Sequence, residues 1–198
     1  MPKTVDREEQ RRQIGAALLQ LVAERGLDEV SVRTVAAATG RSPGAVQKYF
    51  RTKDEMLTFA AELAGERIER RMAEVNTALP LRQALRDLIL STLPLDAERR
   101  AEAAAQLAFA IHAAHHPRLA AIRRQVDRDI REALATWLES AGHATHPAVL
   151  ADAVIALSDG LALRMLYTPQ EHEQLLTVLD QALDTLIPDP GTARHPRE

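Results

Sequence analysis

Between residues 41 and 53 the chain places four cations, Arg41, Lys48, Arg51 and Lys53, with no acid among them, whereas elsewhere the two signs are mixed. Undiluted positive charge suits phosphate, and a chain of phosphates above all. In the same stretch Gln47 carries an amide that can donate and accept at once, the pairing adenine offers in the major groove; the Arg41 guanidinium can reach guanine or phosphate. Lys48, Thr52 and Lys53 suit phosphate oxygens, contacts that position a protein on a duplex without reading its bases. Gly44 and Ala45 matter by omission: nearly without side chains, they let a backbone come close to a groove. This is the chemistry of double-stranded DNA recognition.

Such residues need a support that presents them. Ser31 is placed as an N-cap, and Val32, Val35 and Ala36 at i, i+3, i+4 make one buried face of a short helix that ends at Thr39-Gly40. Ser31, Arg33 and Thr34 stand where that helix would meet phosphates. Ser42 caps a second helix, with Pro43 in its first turn and Ala45, Val46 and Tyr49 on its inner side. The Tyr49 ring is expected in the core with its hydroxyl at the backbone. Running only to Phe50, this helix is barely two turns long, so neighbours must hold it while its outer face stays free.

Before the pair, residues 6–25 read as a helix with a stripe of Ile14, Leu18, Leu21 and Val22, ended by Gly26. After it, Thr52-Lys53-Asp54-Glu55 forms a T-x-x-E capping pattern and opens a long helix through Met56, Ala60, Leu63, Ile68, Met72 and Val75. Further helices follow from Leu81 to a stop at Pro94, from the Asp96 cap through Leu107 and Ile111, and from Leu119 through Trp137 to Gly142. Two more run over 147–167 and 169–187, the last opened by Thr168-Pro169-Gln170-Glu171, another capping pattern, and stopped by Pro188. No alternating strand pattern and no internal repeat occurs. An all-α fold of about nine helices is expected: a three-helix helix-turn-helix head over 1–55, a larger helical body over 56–188 and a disordered tail over 189–198.

Composition is consistent with this division. The 198 residues are 46% apolar, enough for a core. Residues 1–55 hold ten Lys or Arg against eight Asp or Glu, a balance of +2, which leaves −5 for the rest of the net −3. All three lysines, Lys3, Lys48 and Lys53, lie in that head. Without cysteine there is no disulfide, thiol nucleophile or thiolate metal site. Residues 1–12 lack the apolar stretch of a signal peptide, so a cytoplasmic location is expected. Residues 148–166 are apolar, but Asp152, Asp159 and Arg164 interrupt them within the ~20 residues needed to span a bilayer.

The run Gly40-Arg41-Ser42-Pro43-Gly44-Ala45-Val46-Gln47-Lys48-Tyr49-Phe50-Arg51-Thr52-Lys53-Asp54-Glu55 resembles the signature of the TetR family of transcriptional regulators, and the likeness extends over residues 10–57. Arg41 departs from the small apolar residue usual in the family, and Gln47 from a frequent tyrosine. The C-terminal half is similar to the BetI-type subgroup at Leu107-Ala108-Phe109-Ala110, Pro117-Arg118-Leu119 and Asp159-Gly160-Leu161-Ala162-Leu163-Arg164. The resemblance implies a repressor and a small-molecule effector held in a cavity among the middle helices; with no Ser/His/Asp order, and no Lys-Ser/Thr after Gly40-x-x-x-Gly44 to make a phosphate loop, no enzymatic activity and no cofactor are expected. Leu107, Phe109, Ile111, His112, Trp137, Met165 and Tyr167 are the expected lining, or else ordinary core. Arg164 and Asp159 point into that cavity, toward a partner, or to each other.

A two-turn reading helix touches few base pairs, so a homodimer on a palindromic operator is expected. Leu150, Val154, Leu157 and Leu161 form one apolar face of the eighth helix, with Ile155, Ala162 and Leu166 on another. The first face, joined by Leu175, Leu179 and Leu183 of the last helix, is the expected twofold contact. Two other readings stay open: metal sensing through His112 and His116, spaced i, i+4, and a helical protein-binding adaptor. The adaptor leaves the cationic cluster without a purpose.

Overall fold

A computed structural model of the chain describes residues 3–142 and 146–188; His143 and the expected tail over 189–198 lie outside them. Among the described residues there are nine α-helices and no strand, the all-α architecture anticipated from periodicity. They are α1 (Lys3–Arg25), α2 (Val32–Ala38), α3 (Pro43–Gln47), α4 (Lys53–Ala73), α5 (Leu81–Thr92), α6 (Ala97–Ala113), α7 (Pro117–Ser140), α8 (Pro147–Tyr167) and α9 (His172–Leu186). The chain divides into two compact units, Met1–Arg70 with Pro94–Gln125, and Arg71–Leu93 with Val126–Glu198. The first unit takes in more than residues 1–55: most of α4, all of α6 and the start of α7 belong with it.

In the first unit the expected stripe of α1 is inside. Ile14, Leu18, Leu21 and Val22 are buried with Val35 and Ala36 of α2, Val46 of α3, Phe50, and Met56, Leu57, Ala60 and Leu63 of α4. Each such Leu or Ile contributes about 1.5–3 kcal/mol by leaving water. Helix α6 packs along α1 and adds Ala105 and Phe109. α1 and α4 approach so closely at Gly15 that a Cβ there would stand 2.9 Å from the Phe59 ring. Among the described residues one acid is interior: Glu102 of α6, 2% exposed, lies 3.3 Å from the Arg67 guanidinium of α4, which also reaches Glu98 at 3.0 Å. A carboxylate held that deep needs such a partner.

The second unit is built from α5, α8, α9 and the latter part of α7. Leu85 and Ile89 of α5, Leu138 of α7, Val154, Leu161 and Met165 of α8, and Leu175, Leu179 and Leu183 of α9 close its core. Arg86 of α5 donates to Asp180 of α9 at 2.7 Å, and that hydrogen bond, opposed by partial burial, holds the Asp180 carboxyl below its ordinary range. Arg82 adds bonds to Asp184 and to the Asp180 carbonyl.

Two expectations change here. Val154, Leu161, Leu175, Leu179 and Leu183, assigned to the twofold contact, are at most 3% exposed within one chain, and Leu150 and Leu157 are half-buried. Helix α8 is apolar around most of its circumference, and periodicity does not say which side turns inward. The second change is at Thr168, whose hydroxyl donates back to the Arg164 carbonyl at 2.8 Å instead of capping the last helix. The last carbonyls of α8 need partners as much as the first amides of α9 do. Residues Pro169–Glu171 wind as a 3₁₀ turn before α9 begins.

Candidate nucleic-acid interface

Local capping sets the two short helices as the sequence suggests. The Thr34 N–H donates to the Ser31 hydroxyl at 3.1 Å, and the Ser31 N–H donates to the Thr34 hydroxyl at 2.9 Å, a reciprocal capping box. The Thr34 hydroxyl in turn donates to the Glu29 carbonyl at 2.8 Å. Gly40 takes the left-handed conformation, φ 63°, that ends α2 and reverses the chain. The Ser42 hydroxyl accepts the Ala45 N–H at 3.2 Å and opens α3, with Pro43 in the first turn. Val46 is the one buried side chain of α3. The Tyr49 ring packs on the same core.

Beyond Ser42 and Pro43, which open the helix, Gly44, Gln47 and Lys48 are exposed, with Ala45 half-buried beside them. Nothing lies within 4 Å of where a Gly44 Cβ would stand, so the helix backbone itself is open to approach. Arg33, Arg51 and Thr52 are exposed as well. The Thr52 hydroxyl accepts the Glu55 N–H at 3.1 Å, while the Glu55 carboxylate reaches the Arg51 N–H at 2.8 Å, one residue before the cap position expected. The expected readers thus divide. Ser31, Thr34 and Ser42 spend their hydroxyls on helix caps, whereas the amide of Gln47 and the ammonium of Lys48 are exposed and take no part in capping.

Two of the cations turn inward. The Lys53 ammonium, expected at phosphate, donates to the Leu27 carbonyl at 2.9 Å and pins the α1–α2 loop. The Arg41 guanidinium, expected on the outer face, folds back onto α1, donating to Gln10 and, at 3.3 Å, to Gln13. In each case a long side chain finds a carbonyl or amide oxygen within reach across the head, and a half-buried cation gains from it.

Helix α1 supplies further contacts that sequence reasoning did not single out. Arg7 donates to the Lys48 carbonyl, the C-cap of α3, at 3.4 Å. The Arg11 guanidinium lies 5.1 Å from the Phe50 ring centre and 4.6 Å from that of Phe59. Its buried Nε has no hydrogen-bond partner, and the ring faces stand in for one. In sequence, Arg7-Glu8-Glu9-Gln10-Arg11-Arg12-Gln13 reads as a solvated helix start; the signal was the i, i+3, i+4 spacing of 7, 10 and 11, which shares a face.

The expected ligand-lining residues are split between units. In the first, Phe109 is 5% exposed, Leu107 is 37% and Ile111 64% exposed, and His112 is half-buried. In the second, Met165 is buried, Trp137 half-buried and Tyr167 64% exposed, while Arg164 pairs with Glu171 at 3.4 Å rather than with Asp159. Ile111 and Tyr167 are too exposed to line an interior of their own unit. The His112 and His116 rings stack at 3.8 Å between centres with 27° between planes. Imidazole lone pairs lie in the ring plane, so rings this nearly parallel do not aim at one metal ion about 2 Å from each. No group of three metal-ligating side chains gathers among the described residues. His112 is held below the usual imidazole range, first by partial burial, then by His116 and the Lys53 ammonium, with Asp54 and Asp28 opposing. Among the described residues no helix is long and apolar enough to cross a membrane.

Comparison with known proteins bears on the same regions. Residues 14–58 match the model of bacterial regulatory proteins of the tetR family, and residues 80–188 that of the C-terminal part of BetI-type transcriptional repressors. The HTH-type transcriptional regulator PksA of Bacillus subtilis (strain 168) is 32% identical over 175 residues, which cover 85% of this chain and 84% of that one. The crystal structure of a transcriptional regulator from Rhodococcus sp. Rha1 superposes with a TM-score of 0.81 at 35% identity, covering 94% of this chain and 99% of the other. A regulator from Saccharomonospora viridis, solved in complex with choline, shares the fold at a TM-score of 0.75 and 21% identity, over 92% of this chain and 97% of that one.

Proposed function

The chain belongs to the TetR family of DNA-binding transcriptional regulators, with a BetI-type C-terminal half, and from that premise we propose a dimeric repressor that reads a palindromic operator and is released by a small molecule. One observation carries the reading: the outward side of α3 offers Gly44, Gln47 and Lys48 with the helix backbone capped and open. Gln47 reads a base edge, and Lys48, with Arg33, Arg51 and Thr52 around it, holds phosphates. The reading head is residues 1–55, and residues 56–188 bind the effector and the twin.

The dimer contact is reassigned to the other side of α8. Val149, Ala156, Gly160, Leu163 and Tyr167 recur at near-helical spacing there and are exposed, and Val178 of α9 is exposed as well. Apolar side chains in such a row favour a matching surface. The effector occupies the body and favours a conformation that does not bind DNA. Choline, found with the Saccharomonospora viridis regulator, is one probe of effector class. The protein acts in the cytoplasm, where DNA and metabolites meet.

Selection of bound fragments from random and genomic DNA tests the central claim. The expected result is a sequence with twofold symmetry; recovery of no enriched sequence at low salt overturns it. Sedimentation at micromolar concentration is expected to give a dimer. A metabolite screen read by thermal shift and by operator release tests the effector, and a screen in which none alters either overturns the ligand-gated part.

A further inference from the structure

Five residues of helix cannot hold an orientation alone, since a helix this short lies below the length at which propagation repays nucleation. Helix α3 has a single buried side chain, Val46, which anchors its middle. Both ends are held by α1. At the entrance the Arg41 guanidinium, one residue before the Ser42 cap, donates to Gln10 and to Gln13. At the exit Arg7 donates to the Lys48 carbonyl, and Arg11 lies against the ring of Phe50. Residues 7, 10 and 11 share a face of α1, and 13 follows 10 by i+3. The polar flank of α1 therefore meets α3 at both its ends.

We infer that Gln10, Gln13 and Arg41 form a clamp that sets the angle of the reading helix, so that α1 determines DNA selectivity without touching DNA. Arg41 is a positioning residue whose guanidinium is committed to two amide oxygens. The consequence separates two terms of DNA binding. Selectivity depends on Gln47 meeting a base edge within hydrogen-bond geometry, and a swing of α3 spoils that. The phosphate term depends on the number of cations at the backbone, and releasing the clamp leaves that number unchanged.

This rests on the DNA-reading role proposed above, and the test distinguishes the two. The probes are a duplex selected by the wild-type protein from a random pool, and poly(dI-dC) as sequence-neutral DNA. Arg41→Ala is expected to weaken the selected duplex about tenfold, the order expected for loss of a charge-assisted hydrogen bond. Binding to poly(dI-dC) and the slope of affinity against salt stay as in wild type. The double variant Gln10→Ala, Gln13→Ala puts the best helix-forming residue at both positions, keeps α1 intact, and should reproduce that loss. Adding Arg41→Ala to it should cost nothing further. Arg41→Lys, which keeps the charge but not the two-amide reach, should bind the selected duplex like Arg41→Ala.

Equal loss on both DNAs with a salt slope lower by about 0.9 per arginine means that Arg41 sits on phosphate, and overturns the clamp. Wild-type affinity in the glutamine double variant overturns it also. Failure of the random pool to yield any selected duplex removes the DNA-reading role itself, and the clamp with it.

Discussion

Helices α3 and α8 are both proposed to present residues to a partner, yet one announces its orientation in sequence and the other does not. Helix α3 has five residues and one inner side chain, Val46, so which of its sides faces inward is decided by that one residue. Helix α8 has 21 residues, buried at Ala151, Val154, Leu161 and Met165, and exposed at Val149, Leu163 and Tyr167. Its apolar residues occupy both sides. A helix with few inner residues has its outward face named by exclusion, whereas a helix apolar all round needs its neighbours to be known.

The largest effect that tests this contrast is in the core beneath α8. Leu179 is fully buried, so Leu179→Ala should cost about 2–5 kcal/mol of unfolding free energy, read from urea denaturation at fixed protein concentration. Leu163, 42% exposed in one chain, behaves differently. Leu163→Arg should leave the stability of the single chain within about 0.5 kcal/mol while weakening dimerisation at least about tenfold in sedimentation. Were Leu163→Arg to leave the dimer intact, the exposed side of α8 would lose its assignment. On the α3 side, Lys48 and Lys53 are five residues apart and should part company. Lys48→Ala lowers affinity for every sequence and reduces the salt slope by about 0.9 per contact. Lys53→Ala costs about 1 kcal/mol of stability through the lost Leu27 bond and leaves that slope alone. Equal slopes for the two variants would put Lys53 back at the phosphates.

The lysine pair also shows where sequence reasoning stops. Element types and most ends were legible, because Ser31, Ser42 and Asp96 cap locally and each forms its bond. Burial along α1 followed from Ile14, Leu18 and Val22 at helical spacing. That Gly44 and Gln47 lie outward was legible from Val46 and Tyr49 on the inner side. What was not legible is where long side chains end. Arg41 and Lys53 have several rotatable bonds, and their choice between DNA and a carbonyl or amide depends on acceptors that arrive from α1 and the α1–α2 loop, 26 to 31 residues away. Composition counts four cations; the fold spends two of them inside.

That expenditure has a titratable witness of smaller effect. Lys53 is one cause of the lowered His112 pKa, after partial burial and His116, and its inward ammonium is what makes it felt. A histidine lowered in the folded state binds fewer protons there than in the unfolded chain, so this contribution to stability is full above the ordinary value of 6.5 and falls as pH drops below it. His112→Gln should flatten that decline in unfolding experiments between neutral and mildly acid pH. In the intact imidazole, Lys53→Ala removes a nearby positive charge and should raise the His112 titration midpoint, followed by NMR of the ring carbon-bound protons. An unmoved midpoint would mean that the Lys53 ammonium lies out toward solvent, where water screens it, and is available to DNA.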